Sequence, residues 1–166
     1  QTCFQSWIRS LVNEEDDIER TIAIDGKTLR RSHDQNNGLG PLHLVSAWAS
    51  ANGLALGQVA TEEKSNEITA IPVLIDQIDV QGAVVTIDAM GCQKDIAQKI
   101  VDAQGDYVLA VKDNQPKLYG AIKELFSDER QGELLKRPHR KHQTCEKEHG
   151  RREERYYVLA KIPRQF

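Results

Sequence analysis

Short β-branched runs alternate with amphipathic stretches along most of this chain. Thr-Ile-Ala-Ile-Asp (21–25) and Val-Val-Thr-Ile-Asp (84–88) have the composition of buried strands. Leu42–Ala49 and Leu54–Thr61 are strand-like runs on either side of Ser-Ala-Asn-Gly, which predicts a hairpin. Ser65-Asn66-Glu67 then precedes Ile68, Ile71, Leu74, Ile75 and Ile78 at helical spacing, with Pro72 in the early turns of a capped helix. Gln93–Gln104 carries Ile96, Ala97, Ile100 and Val101 on one helical stripe and stops at Gly105. Tyr107–Val111 reads as a strand, and Pro116–Phe126 as a helix with Leu118, Ile122, Leu125 and Phe126 apolar. Phe4, Trp7, Ile8 and Leu11 predict a short helix before the acidic run Glu14–Asp17, and polar Lys27–Gly40 reads as a loop. Residues 127–150 show no period and much charge, which predicts a loop or insertion; Tyr156–Ile162 is a final strand-like run.

The order is strand, hairpin, helix, strand, helix, strand, helix. It predicts an α/β fold with a mixed five-stranded sheet, an antiparallel meander followed by two helix-linked strands. The right-handed crossover rule allows the fourth strand beside the first, the ribonuclease-H-like topology, here with a charged insertion after the third core helix. That placement brings Asp25 and Asp88 together, each at the C-terminal end of its run. Two converging hard oxygen ligands suit a divalent-metal phosphoryl-transfer site. The plainer reading of the pair is two turn aspartates that bond local amides.

Size and charge narrow the choice. The 166 residues suffice for one domain with a proper core. No apolar stretch approaches the roughly 20 residues that span a bilayer. Three scattered cysteines, Cys3, Cys92 and Cys145, give no disulfide framework and point to a reducing cytoplasm. The net charge of −3 speaks against a generic nucleic-acid binder, but it hides a split. Residues 1–129 hold 11 Lys and Arg against 20 Asp and Glu, a balance of −9; residues 130–166 hold 11 against 5, a balance of +6. A basic surface beside an acidic site has this signature, and so does a solvated charged loop.

Six segments carry a specific resemblance, in order and at fitting separations: Ile-Ala-Ile-Asp-Gly-Lys-Thr-Leu-Arg (22–30), Glu-Lys-Ser-Asn-Glu-Ile-Thr-Ala-Ile-Pro (63–72), Thr-Ile-Asp-Ala-Met-Gly-Cys-Gln (86–93), Asp-Tyr-Val-Leu-Ala-Val-Lys (106–112), Asn-Gln (114–115) and His-Gly-Arg (149–151) followed by Glu153. From about residue 20 onward the chain resembles the H-repeat-associated DDE transposases of bacterial insertion sequences. The resemblance implies a ribonuclease-H-like catalytic domain with an Asp-Asp-Glu triad that binds Mg2+ or Mn2+. It further implies DNA as partner (transposon ends and target), no membrane, and work as a homo-oligomer. The first two acids map to Asp25 and Asp88. The third is expected in a helix bearing a His-Trp…Glu-Asn pattern, which this sequence lacks. The chain therefore reads as a central piece: 1–19 a remnant of an N-terminal helical region, 20–166 the transposase core, truncated before the C-terminal catalytic helix. Such a piece is expected to be inactive alone. The rival readings are a vestigial, non-catalytic fragment with weak DNA binding and a structure-specific nuclease of the same fold.

Other residues have two readings each. Glu153 is a candidate third carboxylate or the partner of Arg151, Arg152 and Arg155 in surface ion pairs. Lys27, Arg30, Lys112 and Arg151 are candidate DNA contacts or plain exposed charges. Asn114 and Gln115 contact DNA or, more in keeping with Asn at helix starts, cap the next helix. Glu67 fits the first turn of a capped helix. Asp113 stands where relatives commonly have Gly, and Asp tolerates a left-handed turn. His139, His142, Cys145 and His149 have a spacing compatible with Zn2+, without a second Cys pair to support it. Cys92 reads as a buried or helix-entry thiol.

Overall fold

The computed structural model describes residues 20–32, 40–51, 53–61, 67–127, 136, 139–148 and 151–161. The helix expected over Phe4–Leu11, the caps Ser65 and Asn66, and His149 lie outside the described residues. The chain divides into two compact units, Gln1–Asn114 and Gln115–Phe166.

In the first unit, β1 (Thr21–Thr28), β2 (His43–Ala49) and β3 (Leu54–Thr61) are followed by α1 (Glu67–Gln77), β4 (Val84–Ile87), a 3-10 turn (Ala89–Gly91), α2 (Lys94–Asp102) and β5 (Asp106–Leu109). The sheet order is β3-β2-β1-β4-β5. β1 runs antiparallel to β2, and β2 to β3; β1 is parallel to β4, and β4 to β5. This matches the ribonuclease-H-like arrangement expected from the sequence.

Alternation along the strands builds the core. Ile22 and Ile24, Val45 and Ala47, and Val85 and Ile87 fall on one face of the sheet by register, and all are buried. Ala70, Ile71, Leu74 and Ile75 of α1 and Ile96 and Ile100 of α2 cover that face. Each fully buried side chain of this size contributes roughly 1.5–3 kcal/mol. On the opposite face Trp48 and Val108 stay about half exposed, at 47% and 58%.

Turns follow their local chemistry, with one exception. The β2–β3 hairpin closes through Gly53 in a left-handed conformation, φ 64°, its N–H donating to Ala49 O at 2.9 Å. Gly105, expected to end α2, follows the left-handed residue and is not itself in that conformation. Gln104 takes the positive φ of 61°, and Gly105 is needed because a Cβ there would lie 2.8 Å from Val80 O.

The second unit holds α3 (Pro116–Leu125) and an antiparallel hairpin of β6 (His139–Glu148) and β7 (Arg151–Ala160). Within residues 127–150, expected to be a loop or insertion, His139–Glu148 is strand. The reason it escaped detection is physical: no hydrophobic residue of this hairpin is buried, so its sequence carries no period of two. Backbone ladder bonds join its strands, and exposed ion pairs lie on its surface. Glu146 and Glu153 stand opposite each other, and Arg155 bonds both, at 3.3 and 2.5 Å. No helix among the described residues is long and apolar enough to cross a membrane.

Candidate catalytic site

Register decides where the two aspartates meet. β1 pairs Ile24 with Ile87 of β4, so Asp25 and Asp88 are the next residues on two parallel neighbours. Adjacent strands lie about 4.8 Å apart. Because Ile24 and Ile87 point into the core, alternation directs Asp25 and Asp88 to the other face, where both are exposed.

The two strands then part. β1, expected to end at Asp25, continues to Thr28, with Asp25 opposite Ser46, Gly26 opposite Val45 and Lys27 opposite Leu44 of β2. Pairing with β2 holds these polar residues in the sheet, against their low strand preference. β4 stops at Ile87, and Asp88 caps the 3-10 turn: its Oδ1 accepts the Met90 N–H at 3.0 Å. Beyond Ile24, β1 keeps its antiparallel neighbour β2 and loses its parallel neighbour β4, so the two strands part at the C-terminal end of β4.

Two contacts unseen in the sequence brace this end of the sheet. Asn114 does not cap α3, whose N-cap is Gln115 without a side-chain capping bond. Its Nδ2 donates instead to Ala89 O at 2.5 Å and so ties the segment after β5 to the residue following Asp88. Asp113, beside it, is not left-handed; Arg31 and Gln104 are the non-glycine residues with positive φ among those described. Glu67 is buried, 7% exposed, with its carboxylate against Gly26.

Lys27 shares a face of β1 with Asp25, two residues away, and is exposed. Arg30 is exposed in the turn after β1, and Lys112 is exposed three residues past the end of β5. β1, β4 and β5 run parallel, so these cations belong to the same end of the sheet as Asp25 and Asp88. Cys92 is buried after the 3-10 turn, and burial pushes its thiol above the usual cysteine range.

Glu153 and Arg151 are exposed on β7 in the second unit, where Arg155 Nη2 donates to Glu153 Oε2. Mutual pairing with Glu153 and Glu146 holds the Arg155 guanidinium above its usual range. His142 lies on the opposite face of the β6 ribbon from His139 and Cys145 by alternation. Among the described residues no group of three or more His, Cys, Asp or Glu is placed to hold a metal, so the zinc reading finds no support there.

Comparison with known proteins identifies the family. Residues 17–164 match the family described as Transposase DDE domain. The chain is 45% identical over 161 residues to "H repeat-associated putative transposase YhhI" of Escherichia coli K12, covering 97% of this chain and 41% of the relative. It is 42% identical over 160 residues to "H repeat-associated putative transposase YbfD" of the same strain, covering 96% of this chain and 61% of the relative. A 48% identity over 145 residues links it to "Putative transposase YncI", also of that strain. The chain thus spans about two fifths of the length of YhhI. A match across nearly the whole chain makes this protein a member of the transposase DDE domain family.

Proposed function

We propose that this chain carries two of the catalytic acids of an insertion-sequence DNA transposase, which cuts and joins DNA strands by divalent-metal phosphoryl transfer. The observation that carries this reading is the register of β1 and β4, which sets Asp25 and Asp88 at one level on one face. The donor set fits Mg2+ or Mn2+: two exposed carboxylates, hard oxygens, with Asp88 orientated through one oxygen by the Met90 amide. Bound there, the metal would activate the attacking hydroxyl and offset charge on the phosphate. Asp25 and Asp88 hold and orientate it. Lys27, Arg30 and Lys112 contact phosphates and so fix where the DNA backbone lies. Arg151 and the other cations of residues 130–166 add sequence-independent attraction to DNA. The third carboxylate belongs to a helix of the longer parent protein. Glu153 is the weaker candidate, since Arg155 already engages it.

Titration of the chain with Mn2+ by calorimetry, beside Asp88→Asn, tests the metal site. Weak binding that disappears in the variant is expected; equal binding by both excludes Asp88 as a ligand. With Mn2+ and supercoiled plasmid, the 166-residue chain alone is expected to leave the DNA uncut. Robust nicking that vanishes in Glu153→Gln would make Glu153 the third acid. DNA binding by this chain is expected to be weak and indifferent to sequence, and to fall steeply with salt as counterions are released.

A further inference from the structure

Glu67 is the one charged side chain buried among the described residues, and the site chemistry leaves it unused. A buried carboxylate is costly unless compensated, so packing alone would favour an apolar residue here. Its neighbour is unusual too. A Cβ on Gly26 would lie 2.5 Å from Glu67 Cδ and 2.6 and 2.7 Å from its two oxygens. The carboxylate therefore fills the volume that a side chain at position 26 would occupy, immediately after Asp25. One turn along α1, Ile71 packs near the turn after Asp88: its Cδ1 is 3.2 Å from where a Gly91 Cβ would lie, a space that Ile87 of β4 fills more closely. Residues four apart lie on the same face of a helix. One face of α1 therefore seats on the backbone behind both aspartates.

We propose that Glu67 is a positioning residue for Asp25: its carboxylate, packed flat on Gly26, sets the height of the β1 end relative to the Asp88 turn. β1 has already lost β4 as a ladder partner at this level and keeps β2 alone. Support from the core side is what fixes the remaining freedom. At Gly26 the contact itself is one of shape, since Gly26 presents backbone and no charge. Its consequence for metal binding rests on the proposed role of Asp25 and Asp88; its geometry does not.

Carboxyl 13C signals of Asp25 and Asp88 in labelled protein, followed by Mn2+ titration, test the proposal. The variants are Glu67→Ala, Glu67→Asp and Glu67→Gln, with Leu74→Ala as a core-cavity control on the same helix. Glu67→Ala is expected to move the Asp25 signal and to weaken Mn2+ binding by about tenfold or more, the usual loss when support behind a ligand is removed. Glu67→Gln, which keeps the shape, should retain most of the affinity. Leu74→Ala should lose stability without moving the Asp25 signal. An Asp25 signal unmoved in Glu67→Ala, or moved equally in Leu74→Ala, overturns the proposal, as does a loss of affinity in Glu67→Gln equal to that in Glu67→Ala. If Glu67→Ala does not fold, Glu67→Asp decides by the same signal, because it withdraws the carboxylate from Gly26 by one methylene. If the wild-type chain binds no Mn2+, the metal reading fails by itself. The Asp25 signal still decides the positioning role: movement supports it, constancy overturns it.

Discussion

The five-stranded sheet and the β6–β7 hairpin are both built on regular ladders, yet they are stabilised differently. In the sheet, Ile22 and Ile24 of β1 are buried, and the charged Asp25 and Lys27 of the same strand are exposed. In the hairpin, β7 opens with Arg151, Arg152, Glu153, Glu154 and Arg155, all exposed, and its ion pairs link these to one another and to Glu146. The sheet is held by apolar area removed from water, which is worth kilocalories per side chain. The hairpin is held by backbone bonds and screened charges, each worth little. The difference teaches that strand formation and legibility as a strand are separate matters: a period of two appears in a sequence only when one face is buried.

Perturbation can break or sharpen this contrast. The widest gap should be chemical, because each unit has one described cysteine. Iodoacetamide at neutral pH is expected to modify exposed Cys145 and spare Cys92, which is buried and has its thiol pushed up. Peptide mass spectrometry reads this, and equal labelling would show that the sheet unit opens readily. In urea denaturation, Ile22→Ala should cost about 2–5 kcal/mol. Tyr156→Ala, 69% exposed on the hairpin, should stay within about 0.5 kcal/mol. Comparable losses from the two would mean that the hairpin buries a face of its own. Gly105→Ala forces a methyl toward Val80 O and should cost about 1–3 kcal/mol in the same assay. Asn114→Ala removes one hydrogen bond, about 1 kcal/mol, and hydrogen exchange should quicken at the Met90 and Cys92 amides of the turn it braces. Arg155→Ala should leave the denaturation midpoint unchanged at any salt concentration; a clear, salt-sensitive drop would show that its links to Glu146 and Glu153 stabilise the hairpin after all.

The sequence disclosed the elements whose burial it encodes. Leu54–Thr61 is found with the bounds its pattern predicts, and Val84–Asp88 loses only its last residue to the 3-10 turn. The parallel pairing of the runs that lead into Asp25 and Asp88 was legible because both runs are short and β-branched. Three things were not. The last residues of β1, Gly26, Lys27 and Thr28, are polar and enter the sheet only because β2 is there to pair with them. The Asn114 bond to Ala89 spans 25 residues, and nothing local distinguishes it from a cap. Glu67 reads as a first-turn acid because helix starts favour acids, whereas its burial depends on how α1 lies over Gly26.

The place of β1 between two kinds of neighbour also sets an order of assembly. Its pairs with β2 join residues 15 to 27 apart, from Thr28 with His43 to Ile22 with Ala49. Its pairs with β4 join residues 63 apart, as in Ile24 with Ile87. Closing the longer span costs about 1 kcal/mol more in chain entropy than closing the shortest. Contacts distant in sequence also slow folding. The meander therefore forms first, while β4 waits for α1 to bring the chain back. On the ribosome, Asp25 emerges and finds its strand partners long before Asp88 has been made. Asp25 and Asp88 become neighbours only when β4 joins β1, so the pair exists only in the finished sheet.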